Sequence, residues 1–252
     1  MNFRKNIYYL REFFFPAECG ICGTALPDGE SALMGLCEGC RSFLSSYMTM
    51  YDKCELCGKP LITEKNTCLS CREKEESYKK EYYSKYFLRQ IRFFPYTGKF
   101  KTLLRAYKFR KSLGIGNFFV QCLAKSLEDL KENQSAECFS GAEWVPVPPR
   151  PGKIKTQGWD QLVFLSGLLK KIPNGIPVNA CLKRLKSKSQ KELNRAEREN
   201  NLSGRIVCVK KPQKTAVIFD DVITSGATLN VCARTLLEKG TETVYGICLF
   251  FD

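Results

Sequence analysis

The chain contains no histidine among its 252 residues. That absence removes Ser-His-Asp and Cys-His catalysis, imidazole metal ligands and histidine proton shuttles, so any bound metal must be held by sulfur or oxygen. Acidic residues are also scarce: 26 Asp and Glu face 40 Lys and Arg, a formal charge of +14. A chain of this balance attracts polyanions, phosphorylated metabolites or acidic partners. Long apolar runs are missing as well. The best candidate, LVFLSGLL from Leu162 to Leu169, stops at two lysines, well short of the ~20 residues that cross a bilayer, so no membrane span is expected. The opening stretch MNFRKNIYYLREFFFP is interrupted by Arg11 and Glu12, and no small-residue cleavage site follows it. No signal peptide is read, and the cytoplasm is the expected compartment. Two nucleotide-site patterns are absent: no G-x-x-x-x-G-K-[ST] occurs, and GIG at 114–116 lacks a third glycine. An NTPase loop and a dinucleotide fingerprint are thereby excluded.

Cysteine, by contrast, is abundant. Of 14, eight form four consecutive CxxC pairs: Cys19/Cys22, Cys37/Cys40, Cys54/Cys57 and Cys68/Cys71. Two residues between sulfurs let a tight turn aim both thiolates at one ion, and two such turns close a tetrahedral four-sulfur site. Gly23 and Gly58 follow the first and third pairs, where a chain turning around a metal needs positive φ. Four disulfides would not persist in a reducing compartment, so the spacing predicts structural zinc, with every ligand position filled by thiolate. Adjacent pairs could share an ion, or a cross-brace could join the first pair to the third; spacing leaves both open. Cys122, Cys138, Cys181, Cys208, Cys232 and Cys248 lie in apolar contexts and read as core residues.

Beyond Cys71 a charge-rich run, REKEESYKKEYYSKY, predicts an exposed linker or helix and a boundary near residue 80. From about Tyr96 to Leu130 apolar residues at helical spacing (Leu103, Leu104, Tyr107, then Phe118, Phe119, Leu123, Leu127) predict two helical stretches broken at Gly114 and Gly116. WVPVPP at 144–149 reads as a short strand ended by prolines. A basic, turn-rich loop follows, and then a helix from about Asp160 to Lys171. Late in the chain a strand at TAVIFDD, a helix at TLNVCARTLLEKG with Gly240 as its C-cap, and a strand at TVYGICLFF form a βαβ unit, which requires a parallel sheet. Trp144 beside a strand is expected in the core, and Trp159, in a turn before a helix, to line the site.

The segment TAVIFDDVITSGATL, residues 215–229, concentrates the chemistry. An apolar strand ends in the paired carboxylates Asp220 and Asp221. Thr224, Ser225, Gly226, Ala227 and Thr228 then supply backbone N–H groups and short hydroxyls at a helix N-terminus, an arrangement that cradles phosphate. Carboxylates at this edge of an open sheet lie where a ribose or a metal-bound sugar is gripped. The plainer alternative is a strand, a turn and an N-capped helix with exposed acids.

These residues resemble the phosphoribosyl pyrophosphate (PRPP) motif of type I phosphoribosyltransferases, and together with the CxxC-rich front they resemble the ComF family. YKFR at 107–110, PVP at 146–148, QGWDQ at 157–161 and Q-K-E-L with Arg198 and Asn201 extend the likeness over nearly the whole chain. The resemblance implies an α/β fold of phosphoribosyltransferase type: an open, Rossmann-like, mainly parallel sheet flanked by helices, over residues 81–252. A small zinc-binding module resembling a double zinc ribbon would occupy residues 1–80. Asp220 and Asp221 would bind the ribose 2′ and 3′ hydroxyls, and Thr224 to Thr228 the 5-phosphate. Arg150 and Lys153, after PVP, would lie near the pyrophosphate, and Lys108 would reach an anionic group. Mg²⁺ would accompany PRPP and neutralise the leaving pyrophosphate. The chain departs from the family's R-G-F-N-Q at Gln157–Gln161, losing an arginine and gaining an acid at Asp160. It has T-S-G-A-T for the usual T-T-G-x-T, which keeps the hydroxyl.

Two functions follow from this likeness. One is a Mg²⁺-dependent phosphoribosyltransferase acting at C1 of PRPP on an unidentified acceptor, linked to DNA uptake by competent bacteria. The other is a non-catalytic PRPP-binding zinc protein that binds single-stranded DNA, or a helicase or other DNA-uptake protein, as an accessory factor. Residues Lys183 to Lys211 carry ten basic and three acidic side chains, a charge run of the kind that holds a phosphate backbone or forms a solvated face.

Overall fold

The computed structural model describes residues 17–26, 29–55, 57–69, 71–72, 86–132, 139, 141–186 and 204–252. The predicted linker after Cys71, the boundary near residue 80 and most of the basic run before Arg205 lie outside these residues, as do Cys138, Gln190, Arg198 and Asn201.

Among the described residues four strands build the central sheet, all parallel, in the order β1, β6, β5, β2. They are β1 (Arg89–Pro95), β2 (Glu143–Pro146), β5 (Thr215–Ile223) and β6 (Thr243–Phe251). In β6 the apolar run TVYGICLFF has no polar alternation, and seven consecutive residues are buried. That pattern marks a strand covered on both faces, as parallel sheets require. A second ladder, β3 (Leu182–Arg184) with β4 (Ile206–Cys208), is short and antiparallel. The exposed edge of β2 is covered by the segment around Val178, where Trp144 N–H donates to the Pro177 carbonyl (2.8 Å). The result is the expected α/β architecture, a mainly parallel sheet flanked by helices.

The helices follow their apolar stripes. α3 (Gly98–Lys108) buries Phe100, Leu103, Leu104 and Tyr107, and α4 (Gly114–Glu132) buries Phe118, Phe119, Leu123 and Leu127. Both pack on the aromatic side of the sheet, where Phe94 stacks on Phe100 (5.4 Å between centroids) and meets Phe250 (5.7 Å). The break between them falls at 109–113 rather than at Gly114 and Gly116, which open α4. A Cβ at Gly114 would sit 2.7 Å from the Gly35 nitrogen, so this glycine serves a close approach and not an interruption. Where a loop is expected after β2, a short α5 (Lys153–Gln157) forms ahead of α6 (Gln161–Leu169). α7 (Ala227–Leu237) links β5 to β6 and is capped at Glu238; Gly240, the expected cap, lies in the turn beyond. β1, β3 and β4 are absent from the sequence reading.

Ahead of the sheet, the Cys-rich region contributes α1 (Glu30–Met34) and α2 (Glu38–Met50). It contains two knuckles of the same design: Cys19 N–H donates to Thr24 and Cys54 N–H to Lys59, while Leu26 and Leu61 close the hairpins onto Ala17 and Asp52. Gly23 and Gly58 have φ of 76° and 69°, as the turn around a metal demands. Met34, Leu36 and Leu44 join the main hydrophobic core, whereas the second knuckle encloses its own small cluster of Cys54, Cys57, Leu61, Cys68 and Cys71. Arg110 donates to the Gly20 carbonyl (2.6 Å) and Asn117 to that of Leu33 (2.7 Å). The second knuckle rests on β1, since a Cβ at Gly58 would meet the Gln90 carbonyl oxygen at 2.2 Å.

Candidate functional site

The eight cysteines of the CxxC pairs gather by adjacency: Cys19, Cys22, Cys37 and Cys40 in one group, Cys54, Cys57, Cys68 and Cys71 in the other. This decides between adjacent pairing and a cross-brace. Within each group all sulfurs lie within 4.8 Å of one another, with Cys22 and Cys37 3.6 Å apart and Cys57 and Cys68 3.7 Å apart. A tetrahedral ion with Zn–S bonds of about 2.3 Å sets sulfurs about 3.8 Å apart, so the spacing suits the metal. The crowded thiols shift one another's acidity. Hydrogen bonds from Thr24 bring Cys22 down to about 6. In the second group, hydrogen bonds from Cys57 and Cys71 pull Cys54 down, while Cys54 pushes Cys57 up to about 11 and Cys71 higher still. Crowded thiols ionise at one another's expense, and a cation among them lets all four ionise. Both groups could hold a metal such as zinc.

The second assembly lies at the carboxyl end of β5. There the strand's apolar residues give way to Asp220 and Asp221, and after Ile223 the loop Thr224–Gly226 leads into α7. Gly226 stands at the N-cap with φ 79°, a left-handed turn that a side chain would strain. Gly226 itself supplies no side-chain cap, and a helix N-terminus presents N–H groups and the positive end of its dipole, a setting that suits an anion. Ser225 Oγ lies within reach of the Ala227 N–H (3.4 Å). Thr224 is exposed, and Ser225 and Thr228 are half-buried.

Neither acid is an exposed surface group. Asp221 is buried and pairs with Lys108, at the end of α3, at 2.6 Å. Its Oδ2 also accepts a short hydrogen bond from the Gln161 side-chain amide. Gln161 in turn accepts from Lys153 Nζ (2.5 Å), and Lys153 is paired with Asp160 at 2.6 Å. Lys108, Asp221, Gln161, Lys153 and Asp160 therefore form one continuous network drawn from α3, β5, α5 and α6. Asp160 serves a further purpose as the N-cap of α6, its Oδ1 accepting from the N–H groups of Leu162 (2.9 Å) and Val163 (3.1 Å). An acid at this position thus anchors both a helix and a lysine.

The two carboxyl groups are shifted in opposite directions. Burial, then the charge of Asp221, pushes Asp220 well above the usual carboxylate range. For Asp221 burial acts upward, but the Lys108 ammonium and the hydrogen bonds of Lys108 and Gln161 outweigh it and hold the group below that range. Tyr107 is pushed up by burial and then by the charges of Asp221 and Asp160; its hydroxyl donates to the Gln161 carbonyl (2.9 Å). Trp159 packs edge-on against Tyr107 (5.5 Å), and Trp144 is in the core. The buried Cys232 and Cys248 thiols near Asp220 are pushed up chiefly by burial.

Sequence reasoning named Asp220, Asp221, Lys108 and Lys153, which the structure brings together. It passed over Gln161, Asp160 and Tyr107 as functional groups, although QGWDQ and YKFR contained them. It also missed Arg184. This arginine on β3 lies close enough to Arg150 and Asp220 to feel both charges, and burial, then Arg150, lowers its pKa. No sequence signal marks a residue that arrives on a three-residue strand. Arg150, in the loop after β2, is the charge that most lowers Arg184 after burial.

The fold and sites define an α/β protein with a parallel sheet and two Cys₄ groups suited to a metal. No family model matches the chain. It is similar to Competence protein F of Haemophilus influenzae, 26% identical over 92% of this chain and 95% of that protein. It is also similar to Competence protein ComFC of Bacillus subtilis, 28% identical over 81% of this chain and 79% of that protein. The likeness to the ComF family read from the motifs is shown by these relatives across nearly the whole chain. Among the described residues no helix is long and apolar enough to cross a membrane.

Proposed function

We propose that this chain binds PRPP at the carboxyl end of β5 and acts there as a phosphoribosyltransferase, in a process connected with DNA uptake. The observation that carries the reading is the network on Asp221: a buried strand-end acid, joined to two lysines, immediately before a small-residue loop and a helix N-terminus. Asp220 and Asp221 would grip the ribose 2′ and 3′ hydroxyls. Thr224, Ser225, Gly226, Ala227 and Thr228 would hold the 5-phosphate through backbone N–H groups and hydroxyls. Arg150 and Lys153 would face the pyrophosphate, with Lys108 balancing the acids when no ligand is present. Bound with PRPP, Mg²⁺ would neutralise the leaving pyrophosphate, and carboxylate oxygens such as those of Asp220 and Asp221 are its usual protein ligands. In the reaction the C1–O bond to pyrophosphate breaks, the acceptor's lone pair forms the new bond to C1, and the acceptor's proton leaves to solvent or a neighbouring base. No covalent nucleophile is required of the protein. Residues 1–80 serve in this reading as the zinc module and 81–252 as the transferase domain, in the cytoplasm. The names of both relatives support the link to competence.

One observation favours a second reading, a PRPP-binding accessory protein that holds single-stranded DNA without catalysing transfer. Gln157 stands exposed on α5 where the family has arginine, and Lys153 is already committed to Asp160 and Gln161. Fewer free cations then face a pyrophosphate.

Calorimetric titration of the zinc-loaded protein with PRPP, with and without Mg²⁺ and with ribose 5-phosphate as control, tests the binding site. Micromolar, Mg²⁺-dependent binding that disappears in the Asp220→Asn, Asp221→Asn double variant is the expected result; unchanged affinity there removes the assignment. Base exchange or pyrophosphorolysis marks the enzyme. DNA binding with a steep salt slope that neutralising Lys186, Lys188 and Lys191 abolishes marks the accessory protein.

A further inference from the structure

A cleft of about 250 Å³ opens between α2, the start of β1 and α4. Three cations reach it from three parts of the fold: Lys53 from the turn ahead of Cys54, Arg89 from the first position of β1, and Lys125 from α4. The Lys53 ammonium is enclosed and has no hydrogen-bond partner among the described residues. Asp129 is the one acid among the described lining residues, while Ser126 and Gln121 add neutral donors. An enclosed ammonium without a partner is costly, and a ligand of opposite charge removes that cost. Phe93 and Phe118 supply an apolar wall.

The cleft is distinct from the strand-end site. Arg89 stands in register with Tyr245 and through it with Val217, whereas Asp220 is in register with Cys248 and Arg92. In a parallel sheet this puts Arg89 about 10 Å toward the amino end of the strands, and two strands across from β5.

We propose that this cleft binds a small, multiply charged phosphate anion, seated between Lys53, Arg89 and Lys125. Its volume falls below that of pockets for drug-sized molecules and suits inorganic phosphate or a compact phosphomonoester. Because Lys53 comes from the Cys-rich region and Arg89 and Lys125 from the sheet and its helix, the anion joins the two parts of the chain.

Met48 also lines the cleft, and the chain has only four methionines. The test is therefore a titration of zinc-loaded, methyl-¹³C-methionine protein with inorganic phosphate at constant ionic strength, with chloride as control. The Met48 signal, assigned with Met48→Leu, shifts along a saturable curve while that of Met34 stays in place. Lys53→Gln and Lys125→Gln each weaken the response about ten-fold, the loss of one charge-assisted hydrogen bond. Asp221→Asn leaves the response unchanged. Zinc content reports folding, and Lys125→Gln, on the exposed side of α4, keeps the test decisive if Lys53→Gln does not fold. No saturable Met48 shift, the same curve in both lysine variants, loss of the response in Asp221→Asn, or a response to oligothymidylate but not to phosphate would each overturn the proposal.

Discussion

Asp220 and Asp221 are chain neighbours, yet ionisation affects them in opposite ways. Asp221, held below the ordinary range by Lys108, contributes stability that is present above the unfolded carboxyl value of about 3.9 and is lost as pH falls through its lower folded value. Asp220, held above that range, opposes folding increasingly as pH rises from the unfolded carboxyl value of about 3.9 toward its raised folded value, and ceases to do so as pH falls back through the unfolded value. At neutral pH Asp220→Asn should therefore raise the melting temperature and Asp221→Asn should lower it, as calorimetry can check, while under the proposed function both should weaken PRPP binding. A site held against its own stability is expected of a functional group. Lys108→Met leaves Asp221 buried without its cation and should cost about 3–5 kcal/mol at pH 7 in a denaturant titration, with the loss shrinking in acid as Asp221 takes up its proton. The acids were legible because packing alone gives no reason to end an apolar strand in two adjacent carboxylates ahead of small residues. Gln161 was not, because a glutamine shows no role until its partners are in place.

At the level of elements, Asp160 shows one side chain fixing a helix and a site together. Asp160→Ala should cost about 1 kcal/mol through the lost cap of α6, measured by urea unfolding, and should leave Lys153 with Gln161 as its remaining partner here. Asp160→Asn should keep most of the cap while losing the ion pair with Lys153, which separates the two effects. The late βαβ unit was legible because β6 is uniformly apolar and α7 has a clear stripe. β1 was not: RQIRFFP carries Arg92 at a buried position, which breaks the pattern that marks an inner strand. β3 and β4, three residues each, are too short for any periodicity to emerge, and the site lost Arg184 with them. The helix break was misplaced because glycine reads as an interruption, whereas Gly114 answers to the backbone of Gly35 packed against it.

Across the whole molecule, the two Cys₄ groups are alike in sulfur geometry and differ in what they support. The first shares its apolar residues with the main core, and the second keeps a cluster of its own. Elemental analysis should find two metal equivalents per chain. Cys19→Ser should remove one and lower the melting temperature of the entire fold, whereas Cys68→Ser should remove one with a smaller change in the main transition. Gly58→Ala, which drives a methyl group into the Gln90 carbonyl, should cost about 1–3 kcal/mol and loosen the second group from the sheet, visible as faster zinc loss to a chelator. The sheet order adds a consequence in time. β1 bonds to β6, the strand made roughly 150 residues later, which on a ribosome adding about 5–20 residues per second is a wait of about 8–30 s. Throughout that interval β1, with its two phenylalanines, has no strand to pair with, while the cysteine knuckle that rests on its backbone has already been synthesised. Seated there during translation, the knuckle would act as a built-in guard against aggregation of the nascent chain.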